Sequence, residues 1–386
     1  MLSHPLLRDH RTLLAVWLLI ALSGMYRFGH GRENNFLIFK YVYWHVAGQL
    51  PLYEPYPESY FDVNHYGPLF SLVIGPFAIP PTWLGMLLWL VALTLLLWVS
   101  VRHSMFTPYQ QIFIYWFCAH ELLNAIQMQQ FNIAIAAIIL LSYYFISREK
   151  DFWAAFVIML GTLVKLYGIV GLAFFFFSRH KGRLVGSLAF WAVVLFVAPM
   201  AISSPEYIVG QYQDWIACLG EKNGENIMSQ AQNISLLGLF RKISGDMTYS
   251  DLWLIIPGLV AFALPYLRLS QYRHEAFRQT LLASVLMFTV LFSTGSENSG
   301  YIIAVVGVVI WYTAAPWQRS RWDVALMVYV FFFCTMAHSD LVPRFLRDEW
   351  IRPYGLKALP VVIVWLKLCY EMYIKDYSPN IQIQKV

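Results

Sequence analysis

Lys165 stands near the middle of the apolar run 152–178, in Leu163-Val164-Lys165-Leu166-Tyr167. An ionisable side chain in such a run is expensive to keep, and it marks a functional position by default; the alternative is a lysine snorkelling at the outer ends of two short helices. Three carboxylates lie where they could accept a proton from a reacting hydroxyl. Asp62 sits between Tyr60 and His65, in an aromatic loop expected to exclude water and raise its pKa. Glu297 lies at a helix mouth between Ser296 and Asn298, where a hydroxyl or a divalent metal could be held, and Glu33 precedes Asn34-Asn35. The plainer reading of Asp62 is a solvated turn residue capping the next segment. Arg241 and Arg344 are further cations suited to forked phosphate contacts. Arg241 could equally anchor a helix end beside Lys242, and the run 344–350 also suits an interfacial helix touching lipid headgroups. His120 and Asn124 are one helical turn apart, with Glu121 beside them, a spacing that suits hydrogen bonding between helices.

The elements that must position these residues are helices in lipid. Of the 386 residues, 59% are hydrophobic and 13% charged, against roughly 25% charged in a globular protein, and one water-soluble core cannot hide so much apolar surface. Segments 12–28, 83–101, 109–126, 132–147, 184–202, 250–267, 279–294, 301–316, 323–338 and 358–374 each read as a span. The run 152–178 is too long for one crossing and is broken near Lys165 and Gly168, so it reads as two short helices. The first span lacks a small-residue cleavage site and is expected to be retained.

Basic residues sort the loops. Arg102, Arg148, Lys150, Arg179, Lys181, Arg183, Arg268, Arg273, Arg278, Arg319, Arg321 and Lys375 fall on one side if 152–178 crosses twice, which predicts about twelve spans with both termini cytoplasmic. Three long loops, 29–82, 203–249 and 339–357, then share the outer face. Segment 33–45 reads as an amphipathic helix lying in the interface. No tandem repeat or long linker divides the chain, so residues 1–386 read as one all-α membrane domain. Its four cysteines, Cys118, Cys218, Cys334 and Cys369, are scattered and show neither a disulfide framework nor metal-ligand spacing. The net charge of +5 comes without a basic helix or motif, so it reflects topology rather than nucleic-acid binding.

Four patches in order carry a resemblance. Leu52-Tyr53 and Tyr66-Gly67-Pro68-Leu69-Phe70 follow the interfacial helix; Gln129-Gln130-Phe131-Asn132 lies at an outer hairpin; Lys165 comes next; Gln232-Asn233-Ile234-Ser235-Leu236 is followed by Arg241. Together, over residues 30 to about 300, they resemble the family 87 glycosyltransferases, polyprenol-phosphate-mannose-dependent enzymes of the membrane-embedded C-type superfamily. The resemblance implies a C-type architecture in a bacterial inner membrane, with the active face periplasmic. The expected reaction moves a hexose, mannose by resemblance, from a polyprenyl-phosphate donor to a periplasmic glycan or glycolipid acceptor with inversion. Lys165, Arg241 and Arg344 would hold the donor phosphate, and Asp62, Glu297 or Glu33 would take the proton. Asn35, His65, Tyr66, Gln130, Asn132, Asn233 and Ser235 would line the substrates. No metal ligands are assigned, and a divalent cation (Mg or Mn) is allowed for without being required. Two departures stand out. Asn34-Asn35 replaces the family's aspartate at the start of the interfacial helix, and Ser296-Glu297-Asn298-Ser299-Gly300-Tyr301 lacks the histidine of its late patch. A secondary transporter or lipid-carrier flippase, or a non-catalytic scaffold, is the competing reading.

Overall fold

The computed structural model describes residues 4–229, 232–336, 339 and 342–378. Among these the chain is helical throughout and forms no strand. The helices are α1 (His10–Ser23), α2 (Asn34–Gly48), α3 (Phe70–Ala78), α4 (Thr82–His103), α5 (Pro108–Phe117), α6 (Ala119–Gln127), α7 (Asn132–Ser147), α8 (Asp151–Lys165), α9 (Lys181–Val197), α10 (Pro205–Met228), α11 (Leu236–Ser244), α12 (Leu252–Ala263), α13 (Glu275–Leu291), α14 (Tyr301–Ala314) and α15 (Arg321–Val330), with a C-terminal helix Ala358–Ile374. Each apolar segment named above is helical over most of its described residues, with 337 and 338 of the segment 323–338 lying outside them, and so is the expected interfacial segment. Segment 109–126 is not continuous, because the chain bends at Cys118 between α5 and α6. The 203–249 loop contains the 24-residue α10, which its mixed polarity concealed. Two helices, Thr82–His103 and Lys181–Ala201, are long and apolar enough to cross a membrane; other apolar helices, such as Asn132–Ser147 and Asn298–Ala314, are shorter.

Local signals set the helix ends. Thr107 and Gln110 form a capping box around Pro108 at the start of α5, and Ser320 and Asp323 form another at α15, each satisfying backbone N–H groups that a helix start leaves open. Ser235 caps α11 by accepting from the Gly238 N–H (3.1 Å).

The chain forms two compact units, one of residues up to Phe106 with Leu122–Asn223, the other of Thr107–Glu121 with residues from Gly224 onward. In the first, α7 is buried along most of its length and packs on α4 and α8. Here 152–178 folds as a hairpin. Helix α8 ends at Lys165, Leu166 turns the chain at φ +50°, and a 3₁₀ helix, Tyr167–Phe177, runs back. The arms touch through glycines: a Cβ on Gly168 would lie 2.3 Å from the Thr162 nitrogen, which no side chain tolerates. At the hairpin's base Ser178 Oγ donates to Asp151 Oδ1 (2.9 Å).

In the second unit, α13 and α14 pack along each other and against the C-terminal helix, and nearly every α14 side chain is buried. Two polar pairs lie inside: Trp365 donates to Ser284 (3.1 Å), and Gln110 donates to Gln279 (2.9 Å). Arg319 and Trp311 both bond Glu371 (3.0 and 2.8 Å).

Candidate active site

Most of the residues singled out above converge in the first unit, where four segments meet: the start of α2, the loop 51–69, the α6–α7 turn and the end of α8. Gln129 is the fastener. Its backbone takes φ +52°, and its buried amide accepts from the Phe36 N–H (3.3 Å) and donates to the Arg32 carbonyl (3.2 Å). The start of α2 is thus capped by a side chain 93 residues away, which no local motif reveals. Trp89 donates to the Gln129 carbonyl (3.0 Å).

The two asparagines that replace the expected aspartate are structural. Asn34 Nδ2 donates to the Phe61 carbonyl (2.8 Å), and its Oδ1 accepts from the Phe61 N–H (2.7 Å). Asn35 Nδ2 donates to the Met128 carbonyl (2.9 Å). A carboxylate at Asn34 would keep the N–H contact but repel the carbonyl. Asn34→Asp is therefore expected to cost about 1 kcal/mol of stability and to expose the 51–66 loop to limited proteolysis without raising activity. An Asn34→Asp protein that is more active and equally resistant would show that this position still wants a base.

Asp62 follows that clamp at φ +72°, with Oδ1 accepting from the Val63 N–H (2.9 Å). The sequence-based expectation of a raised pKa is reversed. The His65 ring, 3.8 Å away, and the Val63 N–H hold the carboxyl down to about 2, outweighing the desolvation that opposes them; the side chain is 56% exposed, so water is not excluded. Asp62 is thus ionised but a weak base. Since its folded pKa is depressed, the stability it adds is present above the unfolded carboxyl value of about 4 and is lost as pH falls toward 2. Between pH 5 and 8 no limb of an activity profile should arise from Asp62, which Asp62→Asn measured across that range would check.

The loop then docks on the hairpin. Asn64 ties both sides of Tyr66 (Nδ2 to its carbonyl, 2.9 Å; Oδ1 from its N–H, 3.0 Å). The Gly67 N–H donates to the Val164 carbonyl (3.0 Å), and a Cβ there would lie 2.2 Å from the Leu163 carbonyl oxygen, so only glycine permits the approach. This seats Tyr66 beside Lys165, whose Nζ lies 5.3 Å from the Tyr66 ring centroid and 5.6 Å from that of Tyr167, and donates to Asn132 Oδ1 (2.7 Å). The Tyr66 hydroxyl donates to Gln130 Oε1 (3.2 Å). Lysine, two aromatic faces, two amides and a hydroxyl form one half-buried polar patch. It can neutralise an anion while stacking on an apolar or sugar face.

His65 is placed differently from the expectation of a substrate contact: its ring lies between Asp62 and Cys218 of α10. Glu33 accepts from the adjacent Arg32 N–H (3.0 Å).

The remaining candidates belong to the second unit. Asn233 and Ser235 are fully buried and bonded to each other (2.6 Å), and the Ile234 N–H donates to the Ser296 carbonyl (2.8 Å), tying this strip to the segment carrying Glu297. The buried Arg241 donates to Asp251 (2.8 Å) and to the Met247 carbonyl, beneath Tyr249. Its charge is already matched, and this geometry gives it a structural role in place of the expected phosphate contact. Arg344 is exposed at the start of a short helix. Among the described residues no group of three or more His, Cys, Asp or Glu side chains is placed to hold a metal.

Three features escaped the sequence reading. Lys357 and Glu121, both fully buried, form an ion pair (2.9 Å), and Lys357 also donates to Asn298 Oδ1 (2.6 Å). Lys242 donates to the Gln232 carbonyl (3.0 Å), and burial pulls its ammonium down to about 8. Cys218 lies against His65. Only the charge of Lys357 beside an apolar helix could have drawn attention; the other contacts depend on tertiary pairing.

Comparison with family models places the chain among the glycosyltransferases. It belongs to glycosyltransferase family 87, whose model matches residues 64–294. Among the site candidates His65, Tyr66, Gln130, Asn132, Lys165, Asn233, Ser235 and Arg241 lie inside that match, and Asp62 and Glu297 just outside it. No curated protein matches the chain. As a glycosyltransferase it acts on a sugar donor and an acceptor.

Proposed function

We propose that this glycosyltransferase takes a hexose, with mannose the first choice, from a polyprenyl-phosphate donor in the bacterial inner membrane and passes it to a periplasmic glycan or glycolipid with inversion. The observation that carries the reading is Lys165: a cation held by Asn132 and two tyrosine rings at the turn of an apolar hairpin. A lipid-phosphate donor leaves a phosphate monoester behind, so the main requirement is a fixed positive charge in a poorly solvated place, where it is worth several kcal/mol. The polyprenyl chain would stay among the apolar helices while the headgroup meets the lysine. Asp62, already ionised, would orient the acceptor hydroxyl and take its proton late, as the bond to the sugar forms; an oxocarbenium-like transition state needs no stronger base.

Membrane embedding, with about twelve spans and both termini cytoplasmic, belongs to the same proposal. It is supported by apolar side chains that face outward: Val185, Phe190, Val193 and Val197 on α9, and Leu252, Trp253, Ile256, Leu259 and Val260 on α12. Apolar surface on this scale marks a membrane or partner contact, and lipid supplies it along whole helices.

The direct test reconstitutes the full chain in nanodiscs with radiolabelled polyprenyl-phosphate mannose and a membrane glycolipid fraction. The expected result is label in a product whose new glycosidic bond has the opposite anomeric configuration. Transfer from a soluble nucleotide sugar but from no polyprenyl-phosphate hexose would overturn the donor assignment. Movement of intact donor across the bilayer without any covalent transfer would favour the flippase.

A further inference from the structure

Asn34, Tyr41 and His45 stand on one face of α2 at helical spacing, and the loop that follows the helix folds back over that face. Asn34 clamps Phe61, and the rings of Tyr56 and Tyr60 come to lie 4.1 and 6.2 Å from that of His45, centroid to centroid. Tyr41 lies 5.6 Å from both His45 and Tyr60. The loop is firmly held. The Tyr60 N–H donates to the Tyr56 carbonyl (3.0 Å), the Tyr56 hydroxyl to the Pro51 carbonyl (2.8 Å), and the Leu52 N–H to Gln211 of α10 (2.8 Å).

His45 is 5% exposed and Tyr60 3%. Among the described residues, however, neither imidazole nitrogen and not the Tyr60 hydroxyl makes a hydrogen bond, and none of the three is sealed from water. What stays open in this covered cluster is therefore its unmet polar atoms. Packing accounts for the rings but not for these tips, since phenylalanine at either position would fill the same space. Burial favours the neutral imidazole, which offers one N–H donor and one lone pair, the partners that neighbouring hydroxyls on a sugar ring require. Tyr41 and Tyr56 are half-exposed and add aromatic surface for the C–H face of such a ring.

We infer that Tyr41, His45, Tyr56 and Tyr60 form the acceptor subsite, holding a pyranose ring of the acceptor glycan on the tyrosines with its hydroxyls on the His45 imidazole and the Tyr60 hydroxyl. The inference rests on the reading of Asp62 as the group that receives the acceptor proton. Tyr60 precedes Asp62 by two residues, and Tyr66, four beyond it, leads to Lys165. With the donor phosphate on the Tyr66 side, the acceptor reaches Asp62 from the Tyr60 side. The acceptor is then recognised by a sugar it already carries and not by its lipid alone.

The test uses Tyr60→Phe and His45→Phe in the full chain in nanodiscs. Each removes unmet polar atoms and keeps a ring, so melting temperatures should hold. Saturation-transfer NMR with methyl mannoside, methyl glucoside, methyl galactoside and the glycans released from the membrane glycolipid fraction should show binding to the unaltered chain, weakened about 10-fold in each variant, as expected for a lost hydrogen bond to ligand. In transfer assays the KM for the glycolipid should rise by a similar factor, with the donor KM unchanged and most of the effect absent from kcat. Saturation transfer from none of these sugars, or binding equal in all three proteins, would overturn the inference and make the cluster a packing feature. So would a loss explained wholly by a fallen melting temperature. The NMR readout needs no donor, so a failed polyprenyl-phosphate assignment would appear as absent transfer with sugar binding retained.

Discussion

Lys165→Met is expected to lower kcat/KM for sugar transfer by about 10²–10³, the loss seen when a fixed group facing developing charge is removed. In the proposed reaction negative charge grows on the leaving phosphate and Lys165 would meet it most strongly at the transition state, so most of the loss should fall on kcat. Methionine keeps the length and apolar stem of lysine and still packs between Tyr66 and Tyr167, so thermal stability should change little. Lys165→Arg retains charge but must fit a planar fork where a point charge donates to Asn132 at 2.7 Å, and partial recovery is expected. Radiolabelled transfer kinetics, run beside a melting curve for each variant, check this. Equal activity in Lys165→Met would remove the lysine from the mechanism, and an activity loss explained wholly by a fallen melting temperature would make it structural.

The second large effect concerns stability. Lys357 and Glu121 are fully buried, and the ammonium is shared among both Glu121 oxygens and Asn298 Oδ1. Removing one partner strands the other charge where water cannot reach it, so Lys357→Met should destabilise the chain by about 3–5 kcal/mol. Adding Glu121→Gln removes the stranded charge, and the double variant should regain most of the loss. Thermal unfolding in detergent of the two single variants and the double completes the cycle. Additive losses would mean that the pair is not coupled as its geometry indicates. Asn298 adjoins Glu297, so the same variants also report whether the Glu297 segment depends on this pair for its position.

Periodicity and apolar length made the helices legible, and the break in 152–178 was readable from a lysine and a glycine in an otherwise apolar run. Helix α10 escaped because Glu206, Gln211, Asp214 and Lys222 interrupt its apolar face, so it reads as a loop. Within the candidate site, residue identities were legible and their partners were not. Gln129 looked like part of a short motif and proves to cap a distant helix. Asn34 looked like a lost base and proves to clamp Phe61. The direction of the Asp62 shift depended on where the His65 ring points, which only the folded loop determines. Arg241 had the right charge, but its pairing with Asp251 cannot be distinguished in a sequence from a phosphate contact.

The hairpin that presents Lys165 has arms of unequal residue number, 15 in α8 and 11 in the returning 3₁₀ helix. An α-helix rises about 1.5 Å per residue and a 3₁₀ helix about 2.0 Å, so both arms are about 22 Å long. The tighter winding of the return arm therefore works as a ruler: four fewer residues cover the same height, and Ser178 arrives level with Asp151. Rewinding that arm as an α-helix would leave it about 5 Å short, breaking the latch at the base or dragging the lysine turn inward by the same amount.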